Sequence, residues 1–247
     1  MTDRAQPEAR IQPATQRVRA VYRWVAPFYD AFRAAWSRLT RPIERELDRL
    51  FRERIGPEAR ILELAPGTGI NVERLLREAP RFASYLGIDA SEDMLQRARP
   101  RARGDGRIVL RLGDATDLSA VDGAFDIIVC TWLLSHLDAP AETARAALAK
   151  LAPQGTAVFV FFSRPSFVPL RWLLDALGHV FRYRLLEPAM LSDLPDLEAS
   201  SSCAAGMATL AVFRRPPRGE EPGASAQGEQ RTDRGLRPFD ENSSPRD

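Results

Sequence analysis

The sequence predicts an α/β fold: a mostly parallel sheet with helices on both faces, closed by an antiparallel hairpin. Three observations carry this. Short apolar, strand-like runs alternate with helical stretches from Arg60 to Ser163, the pattern that builds a parallel sheet between two helical layers. A glycine turn, Gly67-Thr68-Gly69, joins the first such run to a helix. Two further runs, 197–205 and 207–213, flank Gly206. So short a connection makes them antiparallel, since a parallel pair needs a crossover of a dozen residues or more.

Residues 1–15 are polar and contain Pro7 and Pro13, which predicts disorder. A helical cap is expected over 16–55. Val18, Val21, Tyr22 and Val25 share one helix face, Pro27 interrupts them, and a second helix starts near Asp30. A third follows Pro42, with Ile43, Leu47, Leu50 and Phe51 on one side. Strands are expected at Arg60–Ala65, Ser84–Asp89, Ile108–Leu112, Phe125–Thr131 and Ala157–Ser163. Helices are expected at Asn71–Glu78, with Val72, Leu75 and Leu76 inward, and at Pro140–Leu151. Ser91 reads as an N-cap followed by Glu92 and Asp93, acids that favour a helix start. Residues 164–195 read as an insert whose Phe167–Tyr183 stretch is amphipathic and aromatic. One domain over 16–215 results, with 216–247, rich in Pro, Gly, Ser and charge, as a disordered tail.

The 247 residues are 45% hydrophobic with a net charge of +2, ordinary for a globular chain and no general case for nucleic acid. Charge is uneven: residues 1–60 hold thirteen arginines against eight acids, which fits a solvated helix face or an anionic surface. Cys130 and Cys203 match no metal-ligand spacing, so no metal is expected. Cys130 reads as a small buried hydrophobe, and the setting as reducing and cytoplasmic. Met1–Ala20 lacks the apolar core of a signal peptide. No run approaches the roughly 18 apolar residues of a spanning helix. Membrane contact would be peripheral, at the inner face, through 16–55 and 164–183.

The chemistry centres on Ile61-Leu62-Glu63-Leu64-Ala65-Pro66-Gly67-Thr68-Gly69. Glycines lack Cβ, so backbone can approach a ligand there, at the carboxyl end of a strand where open α/β sheets bind ligands. Asp89 follows Gly67 by 22 residues at the end of the next strand. An acid about 20 residues beyond the turn suits ribose hydroxyls, because a carboxylate can accept from two at once. Val72 stands where a dinucleotide fingerprint has its third glycine, so the pattern points to an adenosyl ligand without a pyrophosphate.

At this point the chain resembles the class I S-adenosylmethionine-dependent methyltransferases. ELAPGTG is similar to their first motif, Gly87-Ile88-Asp89-Ala90-Ser91-Glu92-Asp93-Met94-Leu95 to the second, and Leu112-Gly113-Asp114-Ala115 to the third. Phe125-Asp126-Ile127-Ile128 is similar to the fourth, and Leu151-Ala152-Pro153-Gln154-Gly155 to the turn before strand five, with Gln154 replacing a glycine. The resemblance covers about residues 16–214. It implies a Rossmann-like three-layer sandwich with a seven-stranded sheet, and S-adenosyl-L-methionine as cofactor. Glu63 would lie near the cofactor's amino group, or else pair elsewhere. Gly67, Thr68 and Gly69 would wrap the methionine portion, and Asp89 would hold the ribose. Ala90 and Met94 would flank the adenine, with Met94 equally readable as core. Asp114 and Ala115 would meet the adenine edge. Thr131 and Trp132 would lie near the sulfonium.

The segment Val21-Tyr22-Arg23-Trp24-Val25-Ala26-Pro27-Phe28-Tyr29-Asp30 is similar to the start of members acting on phospholipid head groups and quinone precursors. That implies Tyr22 at the cofactor and Tyr29 at cofactor or acceptor, with helix packing as their alternative. His136 is the other candidate for acid–base or acceptor contact, against a loop or capping role; His179 is a weaker one. The expected acceptor is amphiphilic, such as phosphatidylethanolamine, or a quinone-like small molecule. The alternative is a methyltransferase-like partner subunit without activity.

Overall fold

A computed structural model describes residues 38–217. Helix α1 (Arg41–Arg54) leads into β1 (Arg60–Leu64), α2 (Ile70–Glu78), β2 (Ser84–Asp89), α3 (Glu92–Ala98), β3 (Ile108–Leu112) and β4 (Phe125–Thr131). Then come α4 (Pro140–Ala149), β5 (Leu151–Phe162), α5 (Val168–Phe181), β6 (Leu197–Cys203) and β7 (Ala208–Arg214). The seven strands lie in the order β3-β2-β1-β4-β5-β7-β6. The first five are parallel. Strand β7 pairs antiparallel with both β5 and β6, as the short connection at Gly206 requires.

Alternation along the strands assigns each face. Leu62 and Leu64 of β1 point to the side where α4 packs Ala144, Ala147 and Leu148. Ile61 points to the other side, with Tyr85, Ile127, Val129 and the α2 residues Val72 and Leu75. Glu63, two residues after Ile61, therefore faces α2. Helix α1 lays Ile43, Leu47 and Leu50 against Val158, Val160, Leu210 and Val212. Burying each such side chain contributes about 1.5–3 kcal/mol, and the face is the one its apolar spacing predicts. Cys130 is fully buried in the cluster that holds Leu62 and Leu64. Burial pushes its thiol far above the usual range, which makes it inert at neutral pH.

Most element boundaries shift by one or two residues from expectation, and the largest change is at the fifth strand. The Pro140 helix stops at Ala149 with Lys150 as its cap, and Leu151 already belongs to β5. The fifth strand thus starts six residues before Ala157. Its pairing with β4 jumps from Phe125↔Leu151 to Ile127↔Thr156, so Pro153-Gln154-Gly155 bulges out of register. Gln154 takes a left-handed φ of 62°, the conformation a glycine would adopt more cheaply. The insert is a helix over Val168–Phe181 followed by a 3-10 turn at Pro188–Leu191. The helices expected between Gln16 and Pro42 lie outside the described residues, apart from residues 38–42.

The two turn glycines differ in their reasons. Gly67 has φ 57°, and a Cβ there would meet nothing within 4 Å. Gly69 has φ 83°, and its Cβ would lie 2.9 Å from the Cβ of Ala98 on α3. Gly67→Ala should therefore lower unfolding free energy by about 1–2 kcal/mol, the penalty of left-handed backbone alone. Gly69→Ala should add an overpacking penalty and lose about 2–4 kcal/mol in total. Urea unfolding of the two variants checks the difference.

Candidate functional site

The candidate site lies at the carboxyl ends of β1, β2 and β4, and it begins with a buried carboxylate. Glu63 is 1% exposed. The Tyr85 hydroxyl donates to its Oε2, and the Asn71 side-chain amide donates to its Oε1 at 2.7 Å. The same amide reaches Thr131 Oγ1 at 3.2 Å. This convergence follows from register. Glu63 pairs with Val129 of β4, so Thr131 lies two residues further along the same face.

Strand β2 contributes through a missing atom. Gly87 sits opposite Glu63. A Cβ at Gly87 would lie 3.0 Å from the Tyr85 ring, from Pro66 and from Leu110. Glycine at this position lets the tyrosine ring cross the strand and put its hydroxyl on Glu63.

A second layer fixes the Asn71 amide. Arg74, also buried, donates to Asn71 Oδ1. Guanidinium has donors only, so the oxygen must face Arg74 and the amide nitrogen must face Glu63 and Thr131. Arg74 is held in turn by α1: its Nε donates to Asp48 Oδ1 at 2.7 Å, and it pairs with Glu44. Helix α1 is thus wired through Arg74 and Asn71 to the carboxylate in β1. Both donors on Glu63 itself are neutral, and burial outweighs them. The carboxyl rises from 4.5 to about 7, chiefly by desolvation, with Tyr85, Asn71 and the charge of Arg74 opposing the rise.

Asp89 organises the neighbouring loops. It is 7% exposed. Its Oδ2 accepts from the Gly67 amide at 2.9 Å, and its Oδ1 from the Ser91 amide at 2.8 Å. Its own carbonyl accepts from Gly113 N at 2.9 Å, which draws the loop after β3 to the site. Ser91 caps α3, its Oγ accepting from Met94 N at 3.4 Å. The Gly67 turn is closed by Gly69 N donating to Pro66 O at 2.9 Å. Thr68 is buried beside it, and its carbonyl accepts from Arg101.

The structure places the remaining described sequence candidates in different surroundings. Asp114 is buried, and its Oδ1 accepts from the Thr116 amide at 2.9 Å and hydroxyl at 2.7 Å. Ala90 is half-buried, Met94 is buried, and Ala115 belongs to the core cluster that holds Leu62 and Leu64. Trp132 has a left-handed φ of 70°. Its side chain packs in the cluster with the α1 residues, its ring 4.9 Å from that of Phe162. His136 closes a 3-10 turn after β4, and its Nδ1 donates to the Arg182 carbonyl at 3.0 Å. That bond joins the β4 loop to the segment after α5. Burial lowers the His136 pKa, which favours the neutral ring. His179 is exposed on α5. Tyr22 and Tyr29 lie outside the described residues.

Asn71, Arg74 and Tyr85 stand out in no sequence motif, and Gly87 opens the Gly87–Leu95 run without an assigned role. A signal exists: Asn71 and Arg74 sit three apart on one helix, each next to an inward-facing residue, Val72 and Leu75. No group of His, Cys, Asp and Glu among the described residues could hold a metal ion, and no described helix is long and apolar enough to cross a membrane. A polar cavity of about 750 Å³ lies at the opposite edge of the sheet, lined by Arg54, Asp126, Gln154 and Arg214. Two of its charged residues are engaged: Arg54 meets Glu198 at 2.8 Å, and Asp126 accepts from the Arg60 amide at 2.8 Å.

Comparison with known proteins finds methyltransferases. Residues 61–155 match a family described as a methyltransferase domain. The chain is 34% identical over 152 residues to a demethylmenaquinone methyltransferase of Clavibacter sepedonicus, covering 59% of this chain and 60% of that protein. It is 32% identical over 160 residues to a malonyl-[acyl-carrier protein] O-methyltransferase of Geobacter sulfurreducens, covering 63% and 57%. The chain therefore spans about three-fifths of the length of these two relatives. Among solved structures, the DhpI complex with SAH superposes with a TM-score of 0.60 at 21% identity, covering 84% of this chain and all of that one. That likeness shows a shared fold.

The buried carboxyl gives a pH signature. Glu63 holds its proton up to about pH 7 in the folded chain and releases it near 4.5 when exposed. The stabilisation is fully present below pH 4.5 and is lost as pH rises through 7, by about 3 kcal/mol for a shift of this size. Glu63→Gln should remove that part of the decline. Denaturant unfolding of both proteins between pH 4.5 and 8 measures it.

Proposed function

We propose that this chain, whose residues 61–155 carry a methyltransferase domain, moves a methyl group from S-adenosyl-L-methionine to an apolar acceptor of the quinone-precursor type. The observation that carries the reading is the pair of buried carboxylates flanking an open glycine turn. Glu63 and Asp89 lie on either side of Gly67, whose Cβ direction is unobstructed.

The residues fit this cofactor. Glu63 faces the site with neutral donors on both oxygens, so an ammonium would add the one charge-assisted bond the carboxylate lacks. Asp89 accepts from a backbone amide on each oxygen, and a carboxylate, an acceptor-only group with two oxygens, has the chemistry that ribose hydroxyls require. Gly67, Thr68 and Gly69 supply a close backbone wall. Ala90 and Met94 offer an apolar shelf for the adenine, with Asp114 and the Ala115 amide at its edge. Thr131, oriented by Asn71, stands at the end of β4 toward the reacting methyl. Trp132 shapes that end by packing, since its ring lies against Phe162.

When bound, the cofactor supplies a methyl carbon activated by sulfonium charge. The acceptor's electron pair forms the new bond in line as the carbon–sulfur bond breaks toward sulfur. The chain's part is to align the two reactants and exclude water. An acceptor that arrives protonated needs a base. His136 is the candidate: with Nδ1–H committed to the Arg182 carbonyl, the neutral tautomer carries its lone pair on Nε2.

The acceptor reading rests on the first relative, whose name specifies demethylmenaquinone, and on the apolar α5 beside the site. Phosphatidylethanolamine draws no support from either relative named above. Incubation with methyl-labelled cofactor and separate apolar and aqueous extracts should label a component of the apolar extract. Label confined to the aqueous extract would sink the acceptor reading. Asp89→Ala should lower kcat/KM by about 100-fold, the loss of two hydrogen bonds to a charged group, mostly through a raised KM for the cofactor. Unchanged kinetics in that variant would sink the assignment of the ribose site.

A further inference from the structure

Helix α5 packs on the sheet by one side only. Leu174 is buried against Leu185 and Met207, with Leu170 and Tyr183 beside them. The opposite half carries Val168, Trp172, Leu173 and Leu177, all exposed, with Phe167 just before the helix. Phe167 and Trp172 are 63% and 69% exposed. From Pro169 to Leu177 the exposed residues include no charge. A contiguous apolar helix face of this kind is uncommon on a surface that meets only water.

Its surroundings are basic. Between Arg164 and Arg184 the sequence has four arginines and one acid, Asp175. Arg164 and Arg184 each also meet an exposed acid, Glu187 at 3.3 Å and Asp138 at 2.5 Å. Such surface pairs hold their partners weakly.

The helix is joined to the candidate site. It follows β5 at the carboxyl edge of the sheet, the edge that bears Glu63 and Asp89. Its C-terminal side packs through Tyr183, which stacks on Phe162 at 4.6 Å, and Phe162 meets Trp132 at 4.9 Å. The segment after it is pinned by Arg184 N donating to Ser135 O at 2.7 Å and Leu186 N to Phe162 O at 2.9 Å. The exposed face therefore sits on the acceptor side, anchored to the loops after β4 and β5.

We propose that the exposed face of α5 is a docking surface for an anionic lipid bilayer, lying in the interface with Trp172 and Leu173 inserted and the flanking arginines among the head groups. A basic fringe around an apolar helix face is the combination that binds such an interface. Charge argues against a second copy and against residues 1–37 as occupants. A second copy would bring like-charged fringes together. Residues 1–37 carry six arginines and three acids, so they would be repelled from the fringe and would add to attraction for an anionic membrane. The surface deepens the acceptor reading above, since it would deliver an apolar acceptor from the bilayer, but docking itself does not depend on methyl transfer.

Flotation of the full chain with vesicles of phosphatidylcholine, alone or mixed with phosphatidylglycerol, tests this. The chain should float with the mixed vesicles, at least tenfold more than with phosphatidylcholine alone, and binding should fall steeply as salt is raised. A blue shift of tryptophan emission on binding should vanish in Trp172→Phe. Trp172→Glu/Leu173→Glu should lose vesicle binding at least tenfold while its melting temperature and its affinity for SAH stay unchanged. That variant should still methylate a detergent-dispersed acceptor, which separates failure of docking from failure of the proposed activity. No flotation, undiminished flotation of the double variant, equal binding to neutral vesicles, or a dimer that the double variant dissociates would overturn the proposal.

Discussion

A carboxylate buried in the middle of a parallel sheet is the constraint around which this site is built. Removing such a charge from water carries a penalty of several kcal/mol unless donors replace the lost hydration. Glu63 has two, and each explains a neighbouring residue. Tyr85 can deliver its hydroxyl only because Gly87 has no side chain under the ring. Asn71 can deliver its amide only because Arg74 takes the other end of that amide, and Arg74 stays buried because Glu44 and Asp48 of α1 neutralise it. One charge in β1 thus accounts for two polar residues on the inner face of α2, a tyrosine in β2 and two acids on α1.

The second carboxylate works through backbone. Asp89 ties the glycine turn after β1 to the start of α3 and, through its carbonyl, to the loop after β3. Three loops are thereby gathered at one edge of the sheet. The same edge receives the turn after β4 and the segment after α5, linked through His136 and Arg182. A ligand at this edge would be enclosed by loops that the protein has already joined to one another, which limits the ordering needed on binding.

The fold was largely legible because its signals are local. Short apolar, strand-like runs marked β2, β3 and β4 to the residue, and the Gly206 connection dictated the antiparallel end of the sheet. Strand β5 was misjudged at its start because Pro153-Gln154-Gly155 reads as a turn, and register with β4 carries the pairing past it. At the site, Glu63, Gly67, Gly69 and Asp89 were visible because glycine and acid spacing is a sequence property. Asn71, Arg74 and Tyr85 were not, because their importance comes from which face of the sheet Glu63 occupies and from a glycine one strand away. The sequence marks Gly69 for close ligand approach, and the absence of a Cβ there also leaves room for Ala98 of α3.

If Glu63 is held for the cofactor's ammonium, binding must depend on its ionisation, and a carboxyl near 7 makes that visible. Calorimetry of SAH binding at pH 6 and pH 8 is the direct measurement. Affinity should rise by about tenfold between the two, following the growth of the carboxylate population. Glu63→Gln should bind more weakly and lose the pH dependence. Affinity that is flat with pH in the native chain, or undiminished in Glu63→Gln, would contradict the account.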